Sequence, residues 1–265
     1  MTDTNEQIRK QVEDAYAAKV TGGGSCCGPD CGSGGGSTST VAALAGYQDE
    51  LATHPEAGAS SFGCGNPLAF AGVQPGETVL DLGSGAGLDL LIAADKVGEE
   101  GRVIGVDMTD AMIAKARENI ERAGAKNIEV RKGIIERLPA DDASVDWVIS
   151  NCVINLSPEK DRVFAEIQRV LKAGGKFSVS DMVVQDLPDW AREMAAAYAA
   201  CIGGAISEAE YVAGLEAAGL REVEVKDRLV YTEEQLASFG ETDTDKAKLA
   251  ELAGQVQSLR FVGRK

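Results

Sequence analysis

The stretch VLDLGSGAGLDLLI, residues 79–92, decides the fold. Its opening, with Thr78 in front, is the apolar run TVLDL (78–82), the pattern of a buried parallel strand. Leu88, Leu91 and Ile92 then fall at i, i+3 and i+4, one face of a helix. Between strand and helix lie Gly83, Ser84, Gly85, Ala86 and Gly87. Glycines at such a turn let the backbone approach a ligand, and the helix start offers free N–H groups. A dinucleotide-binding turn requires GxGxxG, with Gly or Ala three places after the second glycine. Leu88 stands there, so that fingerprint fails.

Outward from this turn the chain alternates strand and helix. RVIGVD (102–107) is the second strand. The next helix starts at Thr109 and Asp110, stops at Gly124, and aligns Ile113, Ala116 and Ile120 on one face. NIEVRKG and SVDWVIS supply the third and fourth strands. Ser157-Pro158 is expected to open a helix carrying Val163, Ile167, Val170 and Leu171, ended by Gly174-Gly175. KFSVSDMVV is the fifth strand. This alternation predicts an α/β fold with a doubly wound sheet. Beyond residue 185 the pattern loosens into a Ser207/Glu210 capping box with a helix through Ala218, then LREVEVKD and a closing SLRFVGRK. Ahead of the core, TGGGSCCGPDCGSGGG (21–36) is too rich in glycine for a regular element. The expected division is an N-terminal helix and Cys/Gly-rich arm packing over the active site (1–72), a ligand-binding α/β core (73–185), and a substrate-covering α+β C-terminal region that includes the last strands (186–265).

Composition narrows the chemistry. The 265 residues carry 26 Lys+Arg against 42 Asp+Glu, a formal net charge of −16. That balance argues against nucleic acid and anionic membranes as partners, since both select clustered cations. No apolar run approaches the ~18 residues of a membrane span, and the N-terminus has no signal-peptide core. A soluble, cytoplasmic chain is expected, with its six cysteines kept as thiols. The single His excludes most His-based metal sites and catalytic triads. Sulfur is the unusual chemistry left.

The GxGxG turn behind Asp81 resembles motif I of class I S-adenosylmethionine (SAM) methyltransferases. A dinucleotide brings a pyrophosphate to the helix start, whereas SAM brings a sulfonium cation, an amino-acid group and an adenosine. Acidic groups near it are therefore welcome. The resemblance implies a Rossmann-like methyltransferase core in which Asp81, Gly83, Ser84, Gly85 and Gly87 bind the cofactor. Asp107 ends the second strand and Met108 follows it, where a carboxylate holds ribose hydroxyls. Gly133-Ile134-Ile135-Glu136 falls where these enzymes contact adenine. Many have an acid at the position of Ile134; that departure leaves Ile135 and Glu136 as the adenine-side candidates. Asn151 completes the set at the end of the fourth strand.

Cys152 follows Asn151 at the sheet's carboxyl edge, where the transferred methyl should point. Its segment SNCVINLSP, together with SFGCGNP (61–67), CIGGAIS (201–207) and SCCGPDC, resembles the arsenite methyltransferase family, from about residue 10 to the closing FVGRK. The resemblance implies that Cys152 and Cys201 hold trivalent arsenic and that Cys64 supplies a third sulfur. One further cysteine, Cys26, Cys27 or Cys31, would exchange disulfides with it, and a thiol reductant would serve as co-substrate. A monomer acting on a small arsenical is expected, with no metal beyond that arsenic. Elementary chemistry agrees: soft thiolates select thiophilic centres, and arsenic held by three sulfurs keeps a lone pair that needs no general base. Two other readings stay open, a methyltransferase for a small organic acceptor and a thiol-based metalloid-binding protein. Singly, each cysteine also reads as a small buried apolar residue.

Overall fold

In the computed structural model the described residues are 2–21, 53–54, 72–240 and 242–265. Cys26, Cys27, Cys31 and Cys64 lie outside them. Strands β1 (Thr78–Leu82), β2 (Arg102–Asp107), β3 (Ile128–Lys132), β4 (Val145–Asn151), β5 (Leu171–Val184), β6 (Arg221–Val230) and β7 (Val256–Arg264) form one sheet in the order β3-β2-β1-β4-β5-β7-β6. The first five are parallel, and β7 inserts antiparallel between β5 and β6. The chain winds from β1 to β2 and β3 on one side, then returns to place β4 on the other. The carboxyl ends of β1 and β4 therefore bound the crevice where an open α/β sheet accepts ligands.

Alternation along β1 explains the layering. Leu80 and Leu82 join Val148, Phe164 and Phe177 in one core, while Val79 joins Leu91, Val103 and Ile149 in the other. Helices α2 (Leu88–Val97), α3 (Asp110–Ala123) and α4 (Lys160–Val170) cover these faces. Thr109 and Gly124 frame α3, the latter left-handed at φ 70°. After β5 come α5 (Asp189–Glu193), α6 (Ala195–Ala199) and α7 (Glu208–Ala217), the last opened by the Ser207/Glu210 capping box. Helices α8 (Glu233–Ala237) and α9 (Asp243–Ala250) follow β6. A third core at the ends of β4 and β5 gathers Cys152, Met182, Cys201, Ile202, Leu236 and Leu249 with Val12 of the N-terminal helix α1 (Thr2–Thr21). Among the described residues no helix is long and apolar enough to cross a membrane.

Both ends of one helix differ from the sequence reading: α4 starts at Lys160, beyond Ser157-Pro158, with Ser157 closing the 3-10 turn Ile154–Leu156. Helix α4 stops at Val170, short of Gly174-Gly175, and Leu171 already pairs with Val145 as the first residue of β5. Leu171 is fully buried, and the register shift that follows absorbs the two glycines. Burying one leucine in the sheet outweighs the helical preference of the last turn.

Candidate active site

The turn after β1 is left-handed at each glycine, with φ of 65° at Gly83, 51° at Gly85 and 91° at Gly87. A Cβ on Gly83 would stand 2.4 Å from Val153 Cγ2, so the turn and the segment after β4 touch through a bare backbone. Asp107, at the end of β2, accepts the Gly85 N–H at 2.9 Å and the Thr109 N–H at 2.8 Å. Its carboxylate thereby fixes the turn from the neighbouring strand. Burial raises its pKa, and those backbone N–H groups oppose the rise. Ser84 Oγ is buried there without a hydrogen-bond partner among the described residues.

Above the turn a cavity of about 970 Å³, its open mouth included, is bounded by the ends of β1, β2 and β4. Asp89 and Asp107 stand on its wall, and Asn151 Nδ2 donates to Asp89 Oδ2 at 3.3 Å. Asp81 lies beneath the turn; burial, then repulsion from Asp89 and Asp107, pushes its pKa well above the usual carboxylate range. Two acids on one crevice wall, Asp89 and Asp107, disfavour a phosphate and favour a ligand bearing a cation and hydroxyl donors. An adenosine with an aminoacyl sulfonium fits this donor set.

The far wall is apolar on one side and ionic on the other. Met108, Ile134 and Ile135 line it, next to Glu136. The Glu136 carboxylate accepts from Ser157 Oγ at 2.7 Å and from Arg9 Nε at 3.1 Å, and Arg9 also pairs with Glu159. Arg9, Val12 and Tyr16 form one face of α1, and all three border the cavity. An ion-pair latch thus docks α1 on the β3–α4 side of the crevice.

Cys152 lines the cavity, and Cys201 is bonded to it from behind. Both are buried and both are left-handed, φ 57° and 62°. Such backbones cost of order 1–3 kcal/mol in a non-glycine residue and persist only where the surroundings hold them. Cys152 N–H donates to Ser180 O at 2.8 Å, and Cys201 Sγ donates to Cys152 O at 2.8 Å. The Tyr16 hydroxyl lies 3.8 Å from Cys201 Sγ. Two thiol-bearing residues distant in sequence therefore meet where β4 ends.

Of the residues singled out from the sequence, Gly83, Ser84, Gly85, Gly87, Asp107, Met108, Ile135, Glu136, Asn151 and Cys152 all line this cavity. Asp81 and Cys201 lie just behind its wall. Sequence reasoning passed over Asp89, although its place in the first turn after GxGxG was a usable signal. It also missed Arg9, Val12, Tyr16 and Ser157. The 9-12-16 spacing marks a helix face, but nothing in the chain says what that face covers.

A methyltransferase domain is the class that this sheet order and crevice define, and residues 74–233, more than half of the chain, match the methyltransferase domain family. An arsenite methyltransferase of Halobacterium salinarum is 44% identical over 86% of this chain and 61% of its own length. One from Aquipseudomonas alcaligenes is also 44% identical, over 58% of this chain and 46% of its own. The structure superposes on an arsenic(III) S-adenosylmethionine methyltransferase of Chlamydomonas reinhardtii with a TM-score of 0.69 and 34% identity, covering 82% of this chain and 73% of that one. The chain belongs to the arsenite methyltransferase family. It spans about three fifths or less of the length of the two curated relatives.

Proposed function

We propose that this chain transfers a methyl group from SAM to trivalent arsenic, as a step in arsenic detoxification. The observation that carries the proposal is the contact between Cys152, a buried thiol residue lining the acidic glycine-turn cavity, and Cys201, the buried thiol residue bonded to its backbone. SAM supplies an electrophilic methyl on a sulfonium. Gly83, Ser84, Gly85 and Gly87 cradle its aminoacyl portion, Asp107 takes the ribose hydroxyls, and Met108 and Ile135 flank the adenine. Asp89, with Asn151 donating to it, and Asp107 on the same wall give the crevice the negative charge a cation requires.

Cys152 and Cys201 then hold the arsenical, with Cys64 as third sulfur. Their role is proximity and orientation, bringing the arsenic lone pair in line with the methyl. The bond that forms is As–C, and the bond that breaks leaves its pair on the sulfonium sulfur. No proton moves in that step, so no base is needed. Methylation raises the formal oxidation state of arsenic by two. The thiol of Cys26, Cys27 or Cys31 then attacks the Cys64 sulfur and gives its proton to solvent. The S–S bond forms as the As–S bond to Cys64 breaks; the pair stays on arsenic and returns it to the trivalent state. An external thiol reductant reopens the bridge.

Incubation with SAM, arsenite and glutathione, followed by chromatographic separation of arsenic species, tests the proposal. Methylated arsenicals formed in step with S-adenosylhomocysteine support it. Arsenite binding without turnover, seen as quenching of tryptophan fluorescence, points instead to a sequestering protein. Turnover of an organic acceptor with no arsenical product overturns the substrate assignment.

A further inference from the structure

Asn155 stands three residues after Cys152, in the 3-10 turn Ile154–Leu156, and is fully buried. Its backbone N–H donates to Asp181 Oδ2 at 3.1 Å, tying the turn to β5. Its side-chain Nδ2 donates to Met182 O at 2.6 Å and to Cys201 O at 3.2 Å. Its own carbonyl accepts from Lys160 Nζ at 3.3 Å. That same carbonyl abuts Gly204, where a Cβ would come within 1.9 Å, so the loop after Cys201 packs against it without a side chain between.

The amide has one workable orientation. Turned over, its oxygen would face two carbonyl oxygens; as it stands, Oδ1 is buried without a hydrogen-bond partner while the NH2 makes both bonds. A buried polar atom left unsatisfied is a cost, and here it accompanies the grip on Cys201. Two hydrogen bonds join Cys201 to the Cys152 loop, one from its own Sγ and one from Asn155. The first is given up when that sulfur takes a ligand. The second survives, because it uses only the backbone carbonyl.

We infer that Asn155 is the positioning residue of the thiol pair, setting the separation at which Cys152 and Cys201 grip one soft trivalent centre together. This rests on the arsenic reading above. A double-mutant cycle tests it, with phenylarsine oxide as the probe, a trivalent arsenical that two thiols bridge. Affinity is measured by calorimetry for wild type, Asn155→Ala, Cys152→Ser and the double variant, alongside SAM affinity and thermal melts. Loss of one positioning hydrogen bond weakens probe binding by about tenfold in the wild-type background. In the Cys152→Ser background the Cys152–Cys201 pair that Asn155 spaces is gone, Cys201 binds the probe only with Cys64, and the same change costs less than about twofold. SAM affinity stays constant throughout. Should the alanine variant not fold, Asn155→Ser, which keeps a polar group at the buried position but loses the Nδ2 donor, enters the same cycle. Equal weakening in both backgrounds, or none in either, overturns the inference while leaving the arsenic reading intact. A wild-type protein that does not bind the probe overturns the reading itself, and the inference with it.

Discussion

Cys201 Sγ donates to the carbonyl oxygen of Cys152 at 2.8 Å. In this arrangement one sulfur is turned onto the backbone of the other cysteine, so seating an arsenical exchanges a thiol hydrogen bond for a sulfur–arsenic bond. A hydroxyl reproduces the first but not the second. Cys201→Ser is therefore expected to melt within a few degrees of wild type while arsenic methylation falls by more than about a hundredfold. Cys152→Ser should lose the same activity. Thermal melts and arsenic speciation on the same preparations check both, and a Cys201→Ser enzyme methylating arsenite at the wild-type rate would remove Cys201 from the reaction.

Gly83 offers a separate test on the cofactor side. Its φ of 65° and the 2.4 Å approach of Val153 Cγ2 leave no room for a methyl group. Gly83→Ala must shift either the turn or the segment leading from Cys152. The expected result is a loss of about 1–3 kcal/mol in stability together with SAM binding weakened at least tenfold, or about 1.4 kcal/mol. Val153→Ala in the same chain relieves the clash but not the φ, so partial recovery is expected. Denaturant titration and calorimetry with SAM measure the two effects.

The features that sequence made legible are local ones. The glycine turn, the Thr109 and Gly124 frame of α3 and the Ser207/Glu210 box are each decided within a few residues, and each bounds its element in the structure, Thr109 without a side-chain capping bond. What escaped depends on partners far along the chain. Arg9 meets Glu136 across 127 residues, and Asn155 meets Cys201 across 46. A helix face at spacing 9-12-16 shows that something is covered without showing what. Leu171 likewise reads as the end of a helix until its burial beside Val145 is known.

Arg9 makes the N-terminal helix part of the site, so its removal should be felt by the cofactor. The guanidinium bonds Glu136 and pairs with Glu159, holding Val12 and Tyr16 against the cavity. Arg9→Met keeps the aliphatic stem and loses both partners. The expected outcome is a KM for SAM raised about three- to tenfold with little change in melting temperature, because the latch is partly exposed. Wild-type KM should also rise with ionic strength, and the variant's should not. An unchanged KM would mean that α1 does not close on the cofactor.

Asp181 gives the protein a pH dependence whose sign can be worked out. It is fully buried, accepting from Met182 N–H at 3.0 Å, Asn155 N–H at 3.1 Å and the Tyr211 hydroxyl at 3.3 Å. Burial lifts its pKa from 3.8 to about 7, against the pull of those bonds and of the Lys160 ammonium. Between those values the folded chain keeps a proton that the unfolded chain has released. Stability therefore falls as pH rises from about 4 to about 7, by up to roughly 4 kcal/mol, and levels off above that window. Burial also lowers the pKa of Lys160, against the attraction of Asp181. Asp181→Asn mimics the protonated acid, so urea unfolding of that variant should show a flatter profile than wild type between pH 4 and 8. The two proteins should converge at the acid end, where wild-type Asp181 is neutral in both states. If the variant keeps the full wild-type slope, the proton resides on some other group.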